Sequence, residues 1–173
     1  MTACEELQTH RIFPEWSKCG RTAIDVAWLR EKGFGGEGRI ASLGAALQAI
    51  VACGAELHIV SMADRAYIVR ALAILGALHF FGNRIVGWEE LGGPLASKGG
   101  FVRQLMQRKA WRPDEVLFVD DQERNLQDVQ GACLTYQTRG RSGLCAEELA
   151  EIARRAASGP PVKLQEASDL VHC

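Results

Sequence analysis

Two adjacent carboxylates, Asp120 and Asp121, follow the apolar run Val116, Leu117, Phe118 and Val119 in the stretch EVLFVDDQERN. Carboxylates side by side repel, and burying both without a cation is costly. A hard, oxygen-seeking ion such as Mg²⁺ relieves that cost and commonly keeps several waters when it binds. Asn125 falls on the first turn of the helix expected next, where its amide can orient a carboxylate or a ligated water. The alternative is that Asp121 merely caps that helix and Asp120 is a solvated loop residue. Ser61 ends the run ELHIVS; its hydroxyl can donate to a bound oxyanion or simply cap the turn that follows. Lys98, in SKGG, stands at an expected helix start, where a cation is slightly disfavoured. It is therefore either solvated or placed to meet an anion.

The elements around these residues alternate between helix and strand. Apolar positions at helical spacing mark a helix over 39–53, and ELHIVS is a short strand. Residues 64–78 read as a helix with Asp64 as N-cap, and 84–87 as a brief strand. Ser97 can cap a helix running through Lys109, broken by Arg112, Pro113 and Asp114. Residues 115–119 form the best strand in the sequence, followed by a helix over about 123–130 and a last strand near 133–136. A closing helix spans 146–156. Strands separated by helices predict an α/β fold with a parallel sheet flanked by helices, in which ligands bind outside the carboxyl ends of the strands. Ser61, Asp120 and Asp121 stand at such ends. One domain is expected over residues 1–157, irregular or incomplete over 1–37. Residues 158–173, with Gly159, Pro160 and Pro161, read as a flexible tail or linker.

Composition narrows the function. The chain has 173 residues, 47% hydrophobic and 24% charged, with a formal net charge of −1. That is enough for one buried core, and the near-neutral balance gives no electrostatic case for nucleic acid or an anionic membrane. The most apolar segment, 66–81, is interrupted by Arg70 and reads as a buried helix, not a membrane span. The six cysteines are scattered without a CxxC pair or a histidine at ligand spacing, which argues against a disulfide framework or structural zinc. With no signal peptide at the N-terminus, the expected location is the cytoplasm. GFGGEGR, residues 33–39, follows no strand and reads as a hinge into the next helix. The four histidines are isolated, and His58, inside a strand, reads as structural. Trp16, Trp28, Trp88 and Trp111 are most simply packing residues.

A serine at one strand end, a lysine at a later helix start and then a strand ending in DDxxxN, in that order, resembles the haloacid dehalogenase (HAD) superfamily. HIVSMAD would supply its second motif through Ser61, SKGG its third through Lys98, and VLFVDDQERN its fourth through Asp120, Asp121 and Asn125. The resemblance covers roughly residues 38–137. Two-component receiver domains also use an acidic pair, a hydroxyl and a lysine, but their acidic pair comes first. The resemblance implies a Rossmann-like HAD fold and Mg²⁺-dependent hydrolysis of phosphate esters. The fourth-motif residues would hold Mg²⁺, and Ser61 and Lys98 would hold the phosphoryl oxygens of a phosphorylated substrate or of phosphate. The insertion around Trp16 and Trp28 is too short for a full cap domain; uncapped members of the family tend to accept larger or macromolecular substrates.

The family's first motif is an apolar strand ending in DxDxT, whose first Asp forms an aspartyl-phosphate. No DxD occurs upstream of Ser61, and the single Asp there is Asp25, in RTAIDVAWLR. Asp25 follows only two apolar residues, and the segment reads at least as well as a helix face with Ile24, Ala27 and Trp28. Glu5 and Glu6 are one methylene longer than Asp, and near-attack geometry tolerates little displacement. The first strand is therefore expected to be missing or replaced by a segment near Thr9–Phe13, as in a fragment or a true pseudoenzyme. Two functions follow: a HAD-like phosphatase catalytically incomplete in this chain, or a non-catalytic HAD-like protein that binds phosphate and metal.

Overall fold

The chain was described from a computed structural model, which covers residues 25–92, 97–139 and 144–158. Glu5, Glu6, Thr9–Phe13, Trp16 and the tail beyond Ser158 lie outside the described residues.

Asp25 opens the first helix. Its side chain accepts the Trp28 N–H at 3.0 Å, capping α1 (Val26–Trp28), which widens into a π-helical turn over Leu29–Gly33. Gly35 and Gly36 then take φ of 75° and 87°, a region L-residues avoid, and Gly36 caps α2 (Glu37–Ala52). Within GFGGEGR the chain leaves one helical segment at Gly33 and enters the next at Glu37, at the place the sequence reads as a hinge. Asp64 caps α3 (Arg65–Ile74) by accepting the Tyr67 N–H at 3.1 Å. That helix ends four residues earlier than the sequence predicts, before Gly76, and a 3₁₀ turn at Leu78–Phe80 completes the span. A short helix α4 (Trp88–Leu91) precedes α5 (Lys98–Lys109), whose start is capped by Ser97 through the Gly100 N–H at 2.9 Å. The remaining helices are α6 (Glu123–Gln127) and α7 (Ala146–Ser158). No helix among the described residues is long and apolar enough to cross a membrane.

The strands among the described residues are all parallel. β1 (Ile59–Val60) pairs with β2 (Ile85–Val86), and β3 (Leu117–Asp120) pairs with β4 (Leu134–Gln137) in the register Leu117↔Leu134 to Asp120↔Gln137. β1, β2 and β3 are shorter than predicted, and β4 keeps its four residues shifted by one. ELHIVS contributes only two paired residues because its partner is a two-residue strand between a turn and Gly87. Among the described residues the four strands make two separate two-stranded sheets, where the sequence predicts one. The resemblance would put a central strand between them; Thr9–Phe13, the expected substitute, is not among the described residues.

Four apolar clusters hold these pieces together, one of them packing Leu29 against Ala71 of α3. Leu47, Ile68, Leu72, Phe80, Phe81 and Ile85 bury the first strand pair. Val102, Met106, Phe118, Leu126 and Val129 pack α5 and α6 on β3, and Val60 of β1 rests against the same cluster. Ile50, Tyr136 and Ile152 join α2, β4 and α7, with Leu57, Leu117 and Val119 alongside. Alternation along β3 therefore sends Phe118 and Asp120 to the α5–α6 face, and Leu117 and Val119 to the α2–α7 face. The two strand pairs share their packing although no ladder joins them among the described residues.

Candidate functional site

The alternation that buries Phe118 also buries Asp120, the last residue of β3, at 6% exposure. A carboxylate there must be compensated, and both of its oxygens are. Lys98 Nζ donates to Oδ2 at 2.8 Å, Asn125 Nδ2 donates to Oδ1 at 2.9 Å, and the Gln122 backbone N–H donates to the same Oδ1 at 2.8 Å. Burial alone would raise the Asp120 pKa. The Lys98 ammonium, then Asn125 and the Gln122 N–H, outweigh it and hold the carboxyl below its ordinary value.

Lys98 sits on the first turn of α5, where the helix dipole disfavours a cation by about 0.3–1 kcal/mol. Its ion pair with Asp120 is mostly buried, with side-chain exposures of 15% and 4%. Of the two readings the sequence leaves open for Lys98, the structure selects an anion, and that anion belongs to the chain itself. The next residue makes the approach possible. A Cβ built on Gly99 would lie 2.3 Å from Asp128 Cβ and 3.2 Å from Val129 Cγ1, so only glycine lets α5 begin against the end of α6. Neither clashing atom is the free end of a flexible side chain. Gly99→Ala is expected to lower stability by about 1–3 kcal/mol through overpacking, despite alanine's better helix propensity. A denaturant midpoint equal to the parent's would show that α5 shifts without cost.

The other predicted residues are placed as follows. Asn125 is buried on α6, facing Asp120 as its spacing suggests. Asp121 is half-buried beside it, just beyond the strand end, and its carbonyl accepts from Gln137 Nε2 at 3.5 Å. Ser61 is buried at the end of β1; its Oγ accepts the Ala63 N–H at 3.1 Å, leaving the hydroxyl proton to donate elsewhere. That bond caps the turn into the next helix, one of the two readings the sequence leaves open, while Asp64 caps the helix itself. Ser61 joins the first strand pair, while Lys98, Asp120 and Asn125 gather at the second. Their connection is Val60, the neighbour of Ser61, which packs against the apolar cluster that contains Val102 and Phe118. Asp25 is exposed and is spent on capping α1. His58 is structural, bonded to Glu56 at 3.1 Å and edge-on to Trp111.

A family model described as a protein of unknown function (DUF2608) matches residues 95–139. That span contains Lys98, Asp120, Asp121 and Asn125. No curated protein and no solved structure matches the chain.

Whether this donor set suits a divalent cation follows from its chemistry. Among the described residues no group of three or more His, Cys, Asp or Glu side chains is close enough to form a cage. Mg²⁺ does not require one: it is commonly bound through one or two carboxylates, with waters and substrate phosphate completing its shell. Asp120 is one such carboxylate, oriented by Asn125, and Asp121 follows it in the chain. Both oxygens of Asp120, however, already accept hydrogen bonds, Oδ2 from Lys98 and Oδ1 from Asn125 and the Gln122 N–H.

Two contributors are not legible as motifs. The Gln122 N–H becomes a donor to Asp120 only because the chain turns directly after β3. Glu148, 3% exposed, accepts the Arg139 N–H at 2.6 Å and the Cys145 N–H at 2.9 Å. It stands three residues after Cys145, the spacing at which a glutamate reaches back to a helix N-cap. That spacing was the available signal.

Proposed function

We propose that this chain is a HAD-like domain with a pocket for a phosphoryl group and Mg²⁺, catalytically incomplete because no DxDxT motif occurs upstream of Ser61. The observation that carries the reading is the buried Lys98–Asp120–Asn125 constellation at the carboxyl end of β3. In it the order Ser61, Lys98, Asp120 of the resemblance is matched by a direct contact between two of its members. Lys98 would supply positive charge to phosphoryl oxygens, and the Ser61 proton would be donated to one of them. Asp120 and Asp121 would hold Mg²⁺, oriented through Asn125. The ion would neutralise phosphoryl charge. The parent activity would be hydrolysis of a phosphate ester, on a small or a macromolecular substrate. The single upstream aspartate, Asp25, is exposed and committed to a helix cap, which supports the absence of an aspartyl-phosphate.

The second reading, a non-catalytic phosphate- and metal-binding protein, predicts the same pocket and the same lack of turnover. An assay with an aryl phosphate and Mg²⁺ is expected to give no hydrolysis above the buffer rate. Inorganic phosphate together with Mg²⁺ is expected to raise the melting temperature of the parent and leave Asp120→Asn unmoved. Hydrolysis abolished by Asp25→Asn would refute the claim of incompleteness. A parent unmoved by the two ligands together would refute the pocket itself.

A further inference from the structure

Lys98 Nζ and a divalent cation have a claim on the same atom. Oδ1 of Asp120 is occupied by Asn125 and the Gln122 N–H, and Oδ2 by Lys98 at 2.8 Å. A cation approaching Asp120 alone meets a buried ammonium. An anion approaching Lys98 alone meets a buried carboxylate. Each lone ligand therefore leaves one like-charge contact uncompensated in a partly desolvated site, where such contacts are poorly screened. The two together remove both conflicts, because Lys98 turns to the anion as Asp120 turns to the cation.

We infer that the Lys98–Asp120 ion pair makes the domain bind a divalent cation and a phosphate-type anion synergistically, each weakly alone. This rests on the proposed phosphoryl and Mg²⁺ pocket and adds that the internal ion pair regulates it. By linkage the gain is reciprocal: phosphate tightens Mg²⁺ by the factor that Mg²⁺ tightens phosphate. Lys98 is a long, flexible donor whose ammonium can exchange partners. Gly99 beside it fixes the backbone from which it reaches.

Calorimetric titration of the full chain with Mg²⁺, with and without inorganic phosphate, reads the coupling directly. The expected Mg²⁺ affinity rises at least about fivefold with phosphate present, the lower end of ordinary coupling. A bridging contact between the two ligands would also give synergy, so the role of Lys98 needs its own readout. In Lys98→Gln, Mg²⁺ alone is expected to bind more tightly than in the parent, because the competing ammonium is gone. In the parent, the Lys98 Nζ resonance followed by NMR is expected to move with both ligands and to stay with either alone; this holds even where the variant fails to fold. Independent binding of the two ligands, or a Lys98 resonance that ignores them, would overturn the inference and leave the pocket standing. No binding of either ligand, alone or together, would overturn both.

Discussion

Lys98→Met loses about 3–5 kcal/mol of stability, the usual cost of stripping the partner from a buried ion pair. The loss far exceeds that of an exposed pair because Asp120 keeps its charge in a site with 4% of its side chain open to water. Asn125 and the Gln122 N–H remain as donors and limit the damage without supplying charge. Asp120→Asn costs less, because the Lys98 ammonium it strands is 15% exposed and sits on a flexible stem that can reach water. The pH dependence carries the sign of the effect. Asp120 has a folded pKa below its ordinary value of 3.8. Its contribution is therefore present above the unfolded value, and is lost as pH falls below about 4 and on through the folded value. In Lys98→Met burial acts unopposed by the ammonium, so Asp120 protonates more readily and the variant sheds its penalty in acid. Urea melts of the two proteins should differ most near pH 7 and converge as pH falls below 4. A difference under about 1 kcal/mol at pH 7 would mean that water compensates Asp120 as well as Lys98 does.

Glu148→Ala is expected to cost about 3 kcal/mol, from two charge-assisted bonds worth roughly 1.5–3 kcal/mol each, offset by water reaching the freed N–H groups. Those bonds tie Arg139, just past β4, to Cys145 at the start of α7. Burial tends to raise the Glu148 pKa, but the Cys145 and Arg139 N–H groups bring it below the ordinary value of 4.5. Its contribution is thus held above that value and lost as pH falls through the folded one. Glu148→Gln keeps an acceptor oxygen and the side-chain volume, so its loss should be about half. Equal losses in the two variants would show that charge, not hydrogen bonding, carries the tie. Chemical denaturation with circular dichroism at pH 7 distinguishes these outcomes.

Local structure is legible in the sequence. Asp64 and Ser97 cap the helices they precede, because an N-cap needs only a side-chain oxygen and the next turn. The strand leading to Asp120 and the turn onto Asn125 follow from a continuous apolar run followed by helical spacing. Non-local facts were not legible. Lys98 left two readings open because its partner lies on another element, brought near by a glycine whose role is visible only in the packing of α5 on α6. Strand length is set by the partner: the six residues of ELHIVS cannot all pair with a two-residue β2. A single sheet was predicted from the order of elements, whereas ladders depend on which edges meet.

The arrangement into two strand pairs also orders the assembly of the chain in time. Ile59 finds Ile85, and Leu117 finds Leu134, across short stretches of sequence. Ile50 and Ile152, which join α2 to α7, are separated by nearly the whole described chain. Loop-closure entropy grows with the length closed, and contacts distant in sequence are the slow ones. The halves are thus the early contacts and the α2–α7 clasp the late one. Lys98 and Asp120 lie in the same half, so their ion pair forms before the clasp shuts.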